Sequence, residues 1–145
     1  MNIRADYNIA DLSRYAKEQI NEYYTHVIQS YKDAANVWME RAKLKTKAQG
    51  SFGNRTFNLR SSIGYIMPMD GREIAIEFET VGPGDTGTAK GMEYARGLAG
   101  GYQDGLVLIC VAGMEYAAAV ESKGFDVITG SSLYIENDLA QLLAA

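Results

Sequence analysis

The stretch Asn54-Arg55-Thr56-Phe57-Asn58-Leu59-Arg60-Ser61-Ser62-Ile63-Gly64-Tyr65 stands between a long helical pattern and the first strand, and its reading decides the fold. Thr56 is placed to cap a short helical turn through Asn58, Leu59 and Arg60, with Leu59 directed inward. Ile63-Gly64-Tyr65-Ile66-Met67 then opens a strand. The segment offers no activated nucleophile, no metal shell and no phosphate cradle, so it reads as a folded joint rather than as a catalytic element.

Upstream of the joint, apolar or aromatic residues recur at Ile9, Leu12, Ala16, Ile20, Tyr23, Val27, Tyr31, Ala34, Trp38 and Ala42. Steps of only three and four mark one face of an amphipathic helix over about residues 8 to 46. Asn8 suits its N-cap, and neither Gly nor Pro interrupts before Gly50. At 1.5 Å per residue, about 35 residues extend roughly 50 Å, whereas a compact chain of this size has a radius of gyration near about 15 Å. Either the helix breaks at an unmarked place or its far end is buried by a neighbouring subunit. The aromatic content of the face, Tyr23, Tyr31 and Trp38, favours the second.

Downstream, Pro68-Met69-Asp70-Gly71 supplies a turn whose Asp-Gly pair accepts positive φ. In Glu73-Ile74-Ala75-Ile76-Glu77-Phe78-Glu79 the apolar residues alternate with glutamates, the period of a strand with one wet face. An antiparallel hairpin over about residues 63 to 80 follows. The apolar run from Gly105 to Ala112 reads as a third, central strand, and Cys110 inside it as buried packing. Met114 to Ser122 makes a short helical turn ending at Gly124, and Phe125 to Ile128 a short strand. Ser131 or Ser132 is placed to cap a final helix carrying Leu139, Leu142 and Leu143. The sheet and short helices occupy about residues 56 to 145, and the whole chain is read as one domain.

With 145 residues, 47% of them hydrophobic, and a single cysteine, the chain is long enough to bury a core and cannot form an internal disulfide. The first residues lack the apolar stretch of a signal peptide, and no run reaches the roughly 18 apolar residues of a membrane helix, so a soluble, intracellular protein without membrane partners is expected. A net charge of -4 argues against a general nucleic-acid binder. Yet no acidic residue occurs from Arg41 to Met69, where Arg41, Lys43, Lys45, Lys47, Arg55 and Arg60 lie. Fourteen basic residues less these six leaves eight against eighteen acidic ones elsewhere. Such a layout suits head-to-tail contact between identical subunits, a strip facing DNA or an acidic neighbour, or a plainly solvated helix end.

Catalytic patterns fail on inventory. Gly82-Pro83-Gly84-Asp85-Thr86-Gly87 matches G-x-G-x-x-G, but the strand before it alternates with glutamates, and Val111-Ala112-Gly113 ends the next strand without a ribose-binding acid. Residues 81 to 91 therefore read as a mobile surface loop, with a nucleotide- or ligand-binding module on Gly82 to Gly91 as the alternative. His26 is the one histidine, so neither a zinc shell nor a Ser-His-Asp arrangement can be completed, and no G-x-S-x-G is present. Neither an enzymatic activity nor a cofactor or metal is expected.

The order helix, T-x-x-L-R-x-S-I turn, hairpin, apolar strand and Y-A-x-x-V-E-x-K-G resembles the small neck or tail-completion proteins of long-tailed phages and prophages. The matching positions are Thr56, Leu59, Arg60, Ser62 and Ile63, then Tyr116, Ala117, Val120 and Glu121. Phe57-Asn58 departs from the glycine usual after the threonine, and the insert from about Val81 to Gly105 is long. The resemblance implies an α+β fold, a long N-terminal helix packed on a small mainly antiparallel sheet with short helices and a C-terminal helix. It implies a structural subunit that forms a homo-oligomeric ring at the head-tail junction or tail end. Its partners would be other neck or tail proteins, with packaged DNA as a further contact, in the virion and, during assembly, in the host cytoplasm. Arg41, Lys43, Lys45, Lys47, Arg55 and Arg60, with Tyr23, Tyr31 and Trp38, are then the expected subunit-interface or channel-facing residues.

Overall fold

The computed structural model describes every residue except 1, 2, 5, 7, 46, 47, 49, 51 and 54. The fold is α+β, as the patterning predicts. Helix α1 runs unbroken over Ile9–Leu44, about 54 Å at the standard rise. The side chain of Asn8 caps it by accepting the Asp11 N–H at 2.7 Å, and Arg41 and Lys43 sit in its last turn, where cations complement the helix dipole. After the one-turn helix α2 (Asn58–Ser61) come strands β1 (Ile63–Met69) and β2 (Arg72–Phe78), joined at Asp70 and Gly71, both at positive φ. The expected hairpin is present and antiparallel. Helix α3 (Asp85–Ala99), strand β3 (Ile109–Ala112) and helices α4 (Ala117–Ser122), α5 (Thr129–Ser132) and α6 (Ile135–Ala144) complete the order.

The sheet order is β2-β1-β3, all antiparallel. β3 is thus an edge strand, and β1, almost wholly buried, is the central one. The apolar run at 105–112 reflects cover on two faces rather than a central position. Leu106, Leu108 and Cys110 pack with Tyr65 and Met67 on the α1 side, while Ile109 and Val111 join Ile66 and Ala95 on the α3 side. A third cluster, around Trp38, Ala42, Leu59, Ile63, Met114 and Val127, closes the end where α1 stops.

Several local expectations are corrected. Residues 85–91 are not loop but the first two turns of α3. Their glycines belong to a buried stripe, Gly87, Gly91 and Ala95 at four-residue spacing, that lets α3 lie directly on its neighbours. A Cβ on Gly87 would sit 2.0 Å from the Asn58 carbonyl oxygen, and one on Gly91 2.7 Å from both the Phe78 ring and the Ser62 carbonyl oxygen. Residues 125–128 form no strand, only a contact in which the Asp126 N–H donates to the Gly50 carbonyl. Ser131 and Ser132 lie within α5, and the residue at the N-cap of α6 is Tyr134, without a side-chain cap bond. α2 likewise has Phe57 at its N-cap, in the left-handed region at φ 63°, and Thr56 Oγ1 only approaches the Asn58 N–H at 3.4 Å.

The hairpin register shifts between Met67 and Pro68, so Ile74 is left out of the pairing and half-exposed. Glu73 is thereby turned to the α3 side, where its carboxylate takes two hydrogen bonds from the Arg96 guanidinium at 3.0 and 3.2 Å. A glutamate read as part of the wet face thus ties β2 to α3. Gly91→Ala is expected to lower stability by about 2 kcal/mol, the scale of overpacking a closed site, measured by urea unfolding; Gly97→Ala on the same helix, where a Cβ meets nothing within 4 Å, serves as the neutral control.

Candidate functional site

Within the single chain the basic segment is engaged largely by intramolecular partners. Arg41 Nη1 bonds Asp138 Oδ2 of α6 at 3.1 Å, and its guanidinium lies 4.7 Å from the Tyr134 ring centre. Lys43 Nζ donates to the Glu79 carbonyl at 2.6 Å; burial lowers its pKa to about 8, against the raising effect of the Glu79 carboxylate. Lys45 pairs with Asp126. Arg60 is buried, donates through Nη1 to the Lys43 carbonyl at the end of α1, and stacks 4.8 Å over the Phe52 ring. Each cation ties the carboxyl end of α1 to a different part of the chain. Arg55 is exposed, and Lys47 lies outside the described residues.

Trp38 is likewise no surface aromatic. It is 0% exposed, and its indole N–H donates to Ser132 Oγ at 3.1 Å. Tyr31 is half-buried, and Tyr23 alone of the three expected interface aromatics is free, at 65% exposure.

The two motifs that are distant in sequence meet in space. Thr56 and Leu59 from the joint, and Tyr116 and Val120 from the second motif, line one cleft together with Phe52 and Phe57. Leu59, Ile63 and Ala117 are buried in the end cluster, and Ser62 donates to the Leu59 carbonyl at 2.7 Å. Glu121 works as a clasp. Its Oε1 accepts the N–H groups of Val127, Ile128 and Thr129 at 3.2, 2.8 and 2.9 Å, and its Oε2 accepts the Thr129 hydroxyl at 2.7 Å. Burial works against its charge, but those hydrogen bonds together hold its pKa below the usual carboxylate value. These motif positions therefore hold the fold together.

The chemistry-bearing groups lie apart. His26 is exposed on α1, with Nε2 3.3 Å from the Leu143 carbonyl oxygen. Burial pushes the Cys110 thiol up to about 12, which keeps it protonated at neutral pH. Among the described residues no group of His, Cys, Asp and Glu is arranged to hold a metal ion, and no helix is long and apolar enough to cross a membrane. In the glycine-rich segment the Gly87 N–H is occupied by Asn58 Oδ1 at 3.0 Å.

Among the described residues, two apolar features stand out as uncovered. Every buried residue of α1 lies in its second half, from Ser30 on, and α6 reaches along it as far as His26. Residues 9–25 project beyond the body, about 26 Å of helix. Ile9 is 84% exposed, and Leu12, Ile20 and Tyr23 on the same stripe are also exposed. The face that carries Ala34, Trp38 and Ala42 into the core thus continues, with no cover, to the start of the helix. The second apolar feature is a groove of about 400 Å³ between α1, α6 and the α1-facing side of β3, walled by Tyr31, Leu106, Leu108, Cys110, Ile135 and Leu139. Periodicity in the sequence pointed to the stripe; the groove joins residues from three elements and had no sequence signal. Comparison with protein-family models, with curated proteins and with solved structures finds no match to the chain.

Glu121→Gln is expected to destabilise the chain at pH 7 by about 1.5 to 3 kcal/mol, the scale of hydrogen bonds to a charged acceptor. Because the native pKa is depressed, the advantage of the wild type is complete above the ordinary value of 4.5 and shrinks as pH falls through the lower native one. Chemical unfolding of both proteins at neutral pH and at pH 3 measures it; an unchanged gap would remove the clasp.

Proposed function

We propose that this chain is a structural subunit of a phage or prophage neck, a head-tail joining or tail-completion protein without catalytic activity that assembles into a ring. The observation that carries the reading is the projecting first half of α1, an amphipathic helix whose apolar face continues the core stripe into solvent. An uncovered stripe of large apolar residues marks a contact surface. The order of motifs in the sequence supplies the choice of assembly, and the way the motif residues converge on the α1–sheet joint supports it.

The arm serves such a subunit by reaching a neighbour while the body keeps its own core. In this reading packaged DNA is a lesser contact: Arg55 is exposed to meet phosphate, whereas Arg41, Lys43, Lys45 and Arg60 are engaged within the chain. Removing the gene from the phage or prophage that carries it is expected to leave filled heads and separate tails in electron micrographs of the lysate. Joined, infectious particles at the parental titre would overturn the reading.

A further inference from the structure

We infer that the free edge of β3 receives an extended segment of a partner polypeptide, apolar along its middle and basic at one end, which adds a fourth strand to the sheet. The site is independent of the assembly reading above. Backbone chemistry fixes the conformation of the occupant. In an antiparallel pair, residues alternate between those bonded to the neighbouring strand and those turned away from it. Val107 and Gly113 donate to the Pro68 and Ser62 carbonyls at 3.0 and 3.1 Å, and between them Ile109 pairs with Ile66 and Val111 with Gly64. The N–H and C=O groups of Leu108, Cys110 and Ala112 therefore point to the outer edge, where no group among the described residues takes them up. Both faces of β3 are already packed, Cys110 and Ala112 on the Trp38 cluster, Ile109 and Val111 beside Ile66 and Ala95. Only the edge is open.

A trough follows that edge. The groove of about 400 Å³ borders it from Leu106 to Cys110, and a second hollow of about 230 Å³ borders it from Cys110 to Ala112. The opposite wall is Ala118 and Ile128 at one end and Ser132, Ile135 and Leu139 at the other. A strand lies about 4.8 Å from its neighbour and sends successive side chains to opposite faces. One laid in the trough meets all three free residues and places its side chains alternately in the groove towards α1 and in the hollow towards α3. A helix, with its own backbone bonds made internally, would leave the edge unpaired. Because the edge is walled, the equally walled edge of a second folded copy does not reach it, whereas a slender unpaired segment does. Recognition of this kind is strand addition, in which main-chain bonds hold the segment and flanking pockets read its side chains. The charges in the walls are the carboxylates of Glu121 and Glu136, with no lysine or arginine beside them. Glu121 is taken up by the 127–129 backbone, and Glu136 stands exposed at the groove end, so it repels an acidic segment and favours one with a cation there.

The probe is a capped synthetic octapeptide of alternating valine and threonine ending in two lysines, added to the full chain and followed by amide NMR and hydrogen exchange. At saturation, exchange is expected to slow at least about tenfold at the Leu108, Cys110 and Ala112 amides. The Ile109 and Val111 amides, already turned to β1, serve as the unmoved controls. The same peptide methylated on its backbone nitrogens keeps every side chain and loses the donors; its affinity is expected to fall at least about tenfold, and the peptide ending in two glutamates is expected to bind more weakly as well. Equal binding of either altered peptide overturns the inference. So does an absence of change at the three amides up to about 1 mM peptide, the weak end of measurable affinity. Protection of those amides that grows with protein concentration and needs no peptide would give the edge to a second copy and overturn it too.

Discussion

The carboxyl end of α1 is where the structure is locked, and the decisive contact is the Arg60 guanidinium on the Lys43 carbonyl. Helix ends leave carbonyls without intrahelical partners, and a buried cation that reaches one of them satisfies the backbone while countering the negative pole of the helix. Arg60 belongs to the one-turn helix that leads into β1, so this bond sets α1 against the sheet. Trp38 and Ala42 then meet Ile63 and Leu59 in the end cluster, Arg41 reaches α6, and Lys45 reaches Asp126. With that end held, how much of α1 lies on the body and how much projects follow directly.

Much of the fold was legible in the sequence because its signals were local. The three-and-four spacing from Ile9 to Ala42 marks an uninterrupted helix, and Asp70-Gly71 between alternating runs marks a hairpin; both stand in the structure. The partners of the basic run were not legible because a string of Lys and Arg resembles a solvated face, whereas the groups that engage it, Glu79, Asp126 and Asp138, come from three later segments. The glycine-rich stretch misled for a related reason. A period of four in small residues is a helix-packing signal, but the turn character of Gly82-Pro83-Gly84 precedes it, and the contact that requires Gly87 is the distant Asn58 backbone. The groove was invisible for the same cause, since its walls come together only after β3 pairs with β1 and α6 packs along α1.

The two edges of the sheet are treated differently. β2 carries Arg72, Glu73 and Glu77, and its register shift interrupts the ladder; charged residues and bulges are devices that discourage pairing with another chain. β3 and the segment before it, Gly105 to Ala112, carry no charge at all. Protection is therefore concentrated on one side of the molecule, and the unguarded side is the one that borders the groove. The first half of α1 also exposes a run of apolar residues, Ile9, Leu12, Ile20 and Tyr23, along one stripe.

The projecting helix takes its rigidity from its anchored half. Helix formation is limited by nucleation, and a segment that merely extends an anchored helix does not bear that cost again. Residues 9–25 prolong a helix whose second half is buried and whose end is held by Arg60, so the arm keeps the axis that the body gives it. A flexible tether would let successive subunits meet at any angle and would favour branched or open chains. In the ring proposed above, a straight arm of fixed direction would keep the rotation between neighbours the same at every step, and a constant rotation without translation along its axis is the condition for such a ring to close.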